Sequence, residues 1–169
     1  MKPRRDTITK QYPWRRDSEG NRLCAVCGLP VPPRIRGGRF KYCSEACADD
    51  AYIRCHPGFA RSAVSKRDKG VCARCGIDTR KLERILRRAQ GLGAPRTDCH
   101  SIKRDLGFTR YHWWEVHHTQ PVSEGGGLCG LENLETLCIP CHNKETAELR
   151  RRQIPKPSSG PLFEGLADA

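Results

Sequence analysis

The chain has 169 residues, which is enough for one domain of ordinary size or for two small ones. No stretch approaches the ~20 apolar residues of a membrane span, so the composition excludes a membrane-spanning protein. The formal net charge is +12, and leaving out the last thirteen residues, which hold two acids and no base, gives +14 for residues 1–156. An excess carried mostly by arginine favours nucleic acid as partner over a merely soluble basic surface.

The 11 cysteines indicate metal binding rather than disulfides. Residues 1–16 are basic and contain no apolar run, so no signal peptide is predicted and we expect an intracellular protein, cytoplasmic or nuclear, with reduced thiols. Two thiolates three positions apart can reach one tetrahedral ion, which makes Cys-x-x-Cys typical of zinc ligation. Cys55, Cys99 and Cys129 fall outside such spacing and are expected to be ordinary thiols.

Residues 1–22 are predicted to form a flexible basic arm, which Tyr12 or Trp14 can anchor. The arm either follows a phosphate backbone or is a solvated terminus without a role.

Residues 23–56 are predicted to form a four-cysteine zinc-finger module. Cys24-x2-Cys27 is followed, after fifteen intervening residues, by Cys43-x3-Cys47, and Ser44 can cap a helix that runs through Ala46 to about Arg54. This pattern looks like a small treble-clef-type finger. The loop between the pairs carries the candidate nucleic-acid contacts Arg34 and Arg36. Alternatively, the zinc only stabilises a unit too small to bury its own core.

A second unit, residues 57–153, begins with a predicted helix from Phe59 to Lys69 that Gly70 ends. Cys72-x2-Cys75 follows directly, and its available partner pair is Cys138-x2-Cys141. A second four-thiolate zinc site is therefore predicted between segments that are far apart in the chain.

Asp78 can cap another helix, in which Leu82, Ile85, Leu86 and Ala89 recur at helical spacing and form the predicted buried face. The opposite face is basic, either solvated or in contact with phosphates. Its candidate nucleic-acid contacts are Arg80, Arg84, Arg87 and Arg88. Further helices are predicted over 98–106 and from His142 to about Gln153, and residues 154–169 are expected to be a disordered tail.

Residues 113–153 have the pattern of a strand, a loop, a second strand and a helix. An aromatic and β-branched run ends at His117 and His118, glycines at 125–127 reverse the chain, and a short apolar run after Asn133 leads to His142. Each polar residue alone is more often a strand or turn residue, and His142 could be a spare zinc ligand. Together they indicate a site for chemistry.

This stretch resembles the HNH endonuclease motif, also called ββα-metal, and the likeness extends from about Phe59 to Gln153. It is also similar to the HNH module of the annealing helicase-nucleases. The resemblance implies an α+β protein: a small zinc-stabilised ββα-metal fold with flanking helices, plus the N-terminal zinc-finger module. Two structural zinc ions and one catalytic divalent ion are implied.

The resemblance also assigns roles to the polar residues. His118 corresponds to the general base, His117 and His142 to ligands of the divalent ion, and Asn133 to a residue that hydrogen-bonds backbone and holds the loop that aims the base. Adjacent strand residues point to opposite faces, so His117 and His118 are expected to converge through a bend before Pro121.

Two departures from the family pattern affect the metal. Thr146 stands where some relatives, such as the nuclease colicins, have a third metal-binding histidine, so water or a phosphate oxygen must complete the site. Many relatives carry Asp where His117 stands, and a nitrogen ligand widens tolerance from Mg²⁺ to Mn²⁺, Ni²⁺, Co²⁺ or Zn²⁺.

The sequence thus predicts a metal-dependent endonuclease that hydrolyses phosphodiester bonds, with DNA as the favoured substrate. The main alternative is a non-catalytic zinc-finger module that only binds nucleic acid. His118 and Asn133 argue against it, because binding alone does not need them. The positive charge disfavours a third alternative, a protein-interaction module.

Overall fold

The computed structural model describes residues 10–33 and 41–154. Arg34 and Arg36, the first nine residues of the basic arm and the tail from residue 155 lie outside the described residues. Within the described ranges, no helix combines the length and the apolar character needed to cross a bilayer.

The N-terminal module contains helix α1 (Glu45–Cys55) and a short antiparallel hairpin, β1 (Arg15–Arg16) and β2 (Arg22–Leu23). The hairpin lies mostly in the segment predicted to be a flexible arm, so its residues 15–22 are structured, contrary to the prediction. Helix α1 begins where predicted, because the hydroxyl of Ser44 accepts a hydrogen bond of 3.2 Å from the backbone N–H of Cys47. The module's core is small and is made of Cys24, Ala25, Tyr42, Ala48 and Ala51.

One residue separates α1 from helix α2 (Pro57–Asp68). His56 ends α1 and also caps α2, where its Nδ1 accepts hydrogen bonds from the backbone N–H groups of Gly58 and Phe59 at 3.1 and 3.3 Å. The rings of Tyr52 on α1 and Phe59 on α2 are stacked with centroids 4.8 Å apart. The two helices therefore pack against each other across this junction.

The central hairpin consists of β3 (Trp114–His118) and β4 (Leu134–Cys138), with Trp114 opposite Cys138 and His118 opposite Leu134. One side of the hairpin packs on α2 through Ala60, Val64, Leu134, Trp114 and Val116. A second cluster contains Cys72, Phe108, Leu137, Ile139 and Trp113. Layers of side chains thus hold the hairpin between α2 and the segments that carry the second cysteine set.

The last helix, α5 (Ile139–Gln153), starts directly after β4 and three residues earlier than predicted. Pro140 lies in its first turn, where a missing backbone N–H costs nothing. The two strands and this helix form a ββα unit. Mixed helices and small sheets confirm the predicted α+β class.

Helix α3 (Thr79–Gly91) and helix α4 (Arg96–Asp105) flank the hairpin. Asp78 caps α3 as predicted, accepting from the backbone N–H of Lys81 at 2.8 Å. The prediction that Ile85 is buried is wrong, because its side chain is 53% exposed. Helix α4 packs along α3, whereas Leu82 reaches the core cluster.

Candidate active site and metal centres

The first cysteine set forms a compact cluster in the N-terminal module. The sulfur atoms of Cys24, Cys27, Cys43 and Cys47 all lie within 4.8 Å of one another. The sulfur of Cys43 lies 3.4 Å from that of Cys27 and 3.6 Å from that of Cys47. Tetrahedral zinc with sulfurs at about 2.3 Å requires sulfur atoms roughly 3.8 Å apart. The spacing of the thiols therefore fits one zinc ion.

The second set brings together two pairs that are distant in sequence. The sulfurs of Cys72, Cys75, Cys138 and Cys141 also lie within 4.8 Å of one another, with Cys75 and Cys138 3.6 Å apart. The turn that carries Cys72 and Cys75 is joined to β4 by a hydrogen bond of 2.9 Å from the N–H of Ala73 to the carbonyl of Thr136. This cluster fits a second zinc ion and joins the turn to the end of the hairpin.

In each cluster, hydrogen bonds lower the pKa of one thiol and so favour the thiolate. Burial would raise the pKa of Cys24, but backbone N–H groups, those of Cys27 and Cys43 foremost, lower it to about 6. Burial would also raise the pKa of Cys72, but backbone N–H groups, that of Cys138 foremost, lower it to about 7. Hydrogen bonds to sulfur stabilise the thiolate, which is the ligand of zinc.

His117 on β3 and His142 on α5 face each other across the hairpin–helix interface. Their rings are nearly perpendicular, with centroids 5.8 Å apart. The Nδ1 atom of His142 is buried and has no hydrogen-bond partner within residues 10–33 and 41–154, which is costly for a polar atom unless something else binds it. Burial lowers the pKa of both imidazoles, which favours the neutral form that coordinates metal. This pair fits a divalent ion.

The cysteine cluster is complete without His142, since its four members are all thiols. Thr146 donates its hydroxyl to the carbonyl of His142 at 2.8 Å and is thereby tied to its own helix. Among the described residues, only the two cysteine clusters bring three or more His, Cys, Asp or Glu side chains close enough to share an ion. The histidine pair has no third ligand of these types within that distance in the described ranges. The histidine pair therefore leaves coordination positions for water or a substrate oxygen.

His118 lies on the opposite side of the strand from His117. The pairing of β3 with β4 continues through His118, and the N–H of Thr119 still donates to the carbonyl of Asn133 at 3.0 Å. The expected bend between the two histidines is thus absent from the strand, because the ladder continues past them. His118 lines a cavity of about 400 Å³ beside α2, together with Cys55 and Arg61.

Asn133 fastens the loop that follows His118. Its side-chain oxygen accepts from the N–H of Gln120 at 2.7 Å, and its side-chain nitrogen donates to the carbonyls of Gln120 and Gly126 at 3.1 and 3.0 Å. A Cβ atom at Gly126 would lie 1.9 Å from the carbonyl oxygen of Gln120, so this position requires glycine. The amide thus bridges both sides of the loop.

The predicted basic face of α3 divides into two kinds of residue. Arg80 donates to the carbonyl of Ser65 at 2.8 Å and also to its hydroxyl, and Arg87 pairs with Glu83 at 2.8 Å. Arg84 and Arg88 are exposed and form no ion pair with any residue that the structure describes. The structure therefore leaves these two most available to a phosphate.

Sequence reasoning missed an ionic group beside the histidine pair. Arg74, on the second cysteine turn, donates to Glu145 at 2.8 Å and to Glu135 at 3.2 Å. Glu135 stands opposite His117 in the ladder, and both carboxylates partly offset the effect of burial on the pKa of that histidine. The sequence offered one signal of this group, because Glu135 lies in the strand that was predicted to pair with the strand of His117.

Comparisons with known proteins give a consistent result. Residues 107–148 match the family described as HNH endonuclease. The chain is 31% identical over 157 residues to "DNA annealing helicase and endonuclease ZRANB3" of Mus musculus and 32% identical over 158 residues to that of Homo sapiens. Each match covers 83% of this chain but 14% of the relative, so the chain spans about a seventh of their length.

A solved structure is also similar to part of the chain. The crystal structure of the human ZRANB3 HNH domain is 31% identical, and the match covers 57% of this chain and 96% of that one, with a TM-score of 0.38.

Proposed function

The chain belongs to the HNH endonuclease family, and from this premise we propose that it hydrolyses phosphodiester bonds in DNA with His118 as general base and His117 and His142 as ligands of a divalent ion. Two observations carry the proposal: the ring of His142 lies against that of His117, and its buried Nδ1 has no hydrogen-bond partner among the described residues. A zinc-finger module that only binds nucleic acid has no need of such a pair.

Phosphodiester hydrolysis needs an activated water, stabilisation of the crowded phosphorane and stabilisation of the departing oxygen. A divalent ion, when bound, supplies the last two. Mg²⁺ or Mn²⁺ is proposed, and the two nitrogen ligands also suit Ni²⁺, Co²⁺ or Zn²⁺. A neutral imidazole at His118 accepts the proton of the water.

Because the strand does not bend as expected, we propose that the phosphate lies across the end of the strand, where both faces can be reached. In-line displacement requires the attacking and leaving oxygens to lie on opposite sides of the phosphorus. His118 and His117 point to opposite faces of β3, and the strand ends at His118. A phosphate seated across this end has the base on one side and the ligand pair on the other.

Other residues are proposed to position these three. Through its hydrogen bonds to Gln120 and Gly126, Asn133 holds the loop that follows His118 and so orients this base towards the phosphate. The two cysteine clusters are proposed to bind one structural zinc each, and the second fixes the start of α5, where His142 stands. An intracellular location accords with reduced thiols at both clusters.

The test uses purified full chain and supercoiled plasmid, with Mg²⁺ or Mn²⁺. His118→Ala should cut about 10² to 10⁴ times more slowly than the parent and should bind the plasmid with parental affinity. Leu92→Ala, at a position that is 80% exposed, is the control and should cut like the parent. His142→Ala should regain part of its lost rate when the metal concentration is raised.

If His118→Ala cuts as fast as the parent in matched metal, the base lies elsewhere. If the parent cuts no nucleic acid with any of the five divalent ions, the proposal fails and the binding-module alternative replaces it.

A further inference from the structure

A basic and aromatic groove lies between α3, α4 and the loop that enters β3. Its volume is about 690 Å³, comparable with pockets that hold a drug-sized molecule. The residues that bear on its ligand are Arg61, Lys103, Arg104, Arg110, Tyr111 and Trp113.

Part of this charge is already used inside the protein. Arg61 pairs with Glu115 at 2.8 Å. Lys103 donates to the carbonyl of Tyr111 at 2.7 Å and lies 4.6 Å from the centre of the Trp113 ring, so it holds the loop onto α4. Arg104 and Arg110 form no ion pair in the part of the chain that the structure describes. These two guanidinium groups are available to an anion.

The aromatic residues divide in the same way. Trp113 packs on Phe108 with ring centroids 5.0 Å apart, and the guanidinium of Arg61 lies 4.0 Å over the ring of Trp114. Both tryptophans are thus engaged in packing. Tyr111 is 89% exposed, and its ring meets that of His112 edge-on with centroids 5.3 Å apart, so a face of the tyrosine ring is open to a stacked base.

The groove reaches the strand that carries His117. Arg110, Trp113 and Trp114 line the groove, and β3 runs from Trp114 to His118. An anion bound by Arg110 would therefore lie beside the start of the strand that leads to the proposed cleavage site.

We propose that this groove binds a single-stranded segment of DNA, with a base stacked on Tyr111 and phosphates bound by Arg104 and Arg110. An exposed ring beside cations suits an unpaired strand, because stacking needs a base with a free face. In a duplex both faces of each base are already covered by its neighbours. The inference rests on the proposed function, which supplies DNA as the substrate. It adds the place where an unpaired part of that DNA binds.

The test measures binding of a labelled 15-nucleotide oligothymidylate and of a 15-base-pair duplex. Divalent ions are omitted so that nothing is cut, and chelators are avoided because they remove structural zinc. Tyr111→Ala should weaken binding of the oligothymidylate about 10-fold, as the loss of one stacked base does. Tyr111→Phe keeps the ring and should bind like the parent.

The double change Arg104→Ala with Arg110→Ala should flatten the salt dependence of oligothymidylate binding by roughly 1.4 units of slope, about 0.7 for each lost phosphate contact. Arg150→Ala with Arg151→Ala removes the same charge from the exposed end of α5 and should leave the slope nearly unchanged.

Two results would overturn the proposal. One is parental affinity of Tyr111→Ala for the oligothymidylate, and the other is an equal loss of affinity for the duplex, which would make the groove a general phosphate surface. Because the assay measures binding without cleavage, these results are independent of the outcome with His118→Ala.

Discussion

At the scale of single residues, the two facing histidines connect stability to pH. Burial lowers the pKa of His117 and His142, whereas an imidazole in the unfolded chain titrates near 6.5. Below about pH 6.5 the unfolded chain therefore binds protons that the folded chain does not, and the free energy of unfolding falls until the lower folded pKa is passed.

Urea unfolding between pH 7.5 and 5.5 measures this effect. The parent should lose more stability over the range than His142→Asn, which cannot gain the proton in either state. Parallel losses in the two proteins would contradict the assignment of the buried imidazole as a source of the pH dependence.

Gly126 provides a second test at this scale. Gly126→Ala places a methyl group against the backbone carbonyl of Gln120, and we expect a loss of about 1 to 3 kcal/mol of stability together with slower cleavage. Gly91→Ala is the matched control, because nothing lies within 4 Å of its added atom and it should be neutral or slightly stabilising. Denaturant midpoints and plasmid cleavage rates measure both effects.

Individual residues show how far the sequence predicts the site. The hydrogen bonds of Asn133 to backbone were expected from the family resemblance, and its side chain makes them. The exposure of Tyr111 and the attachment of Arg80 to Ser65 were not expected. Both depend on how α3 and α4 pack against their neighbours, and local sequence patterns carry no information on that packing.

At the scale of elements, α3 provides a test of duplex binding. Arg84→Ala with Arg88→Ala should weaken binding to unrelated duplexes alike and flatten the salt dependence by roughly 1.8 units, about 0.9 for each phosphate contact. The control is again Arg150→Ala with Arg151→Ala. Equal slopes for the Arg84 and Arg88 variant and the parent would show that this face is only solvated.

Strand β4 leads directly into α5, and the second cysteine cluster lies at this junction. The folding of the hairpin should therefore depend on this cluster. Elemental analysis should find two zinc ions per chain, and Cys138→Ser should lose one of them and unfold the ββα unit, because metal binding and folding are coupled. Cys99→Ser changes a buried thiol outside both clusters and should keep two ions. Two ions in folded Cys138→Ser protein would disprove the assignment.

Helix boundaries were predictable where a capping residue defines them, as Ser44 and Asp78 do. The start of α5 was predicted at His142, where the charged helical pattern begins, but the helix also includes the apolar run of Ile139 and Pro140. The exposure of Ile85 shows a different limit: helical spacing identifies an apolar stripe, but the neighbouring elements determine how much of it is covered.

At the scale of the molecule, the first module contacts the hairpin unit directly. Arg54 on α1 donates to the carbonyl of Leu128 at 3.4 Å and lies 3.6 Å from a carboxylate oxygen of Glu132. The division into a module of residues 23–56 and a domain of residues 57–153 stays a prediction. The sequence shows two cysteine quartets, but it does not show the contacts between the two modules, because these depend on how α1 and α2 pack.

His56 ends α1 and caps α2, so a single residue joins the two helices. Modules on a flexible tether search independently for their targets, and their spacing varies with each encounter. A junction of one residue should restrict that variation. When the first module binds DNA, we therefore expect the ends of the cleavage products to fall within a narrow range of distances from the point that it binds.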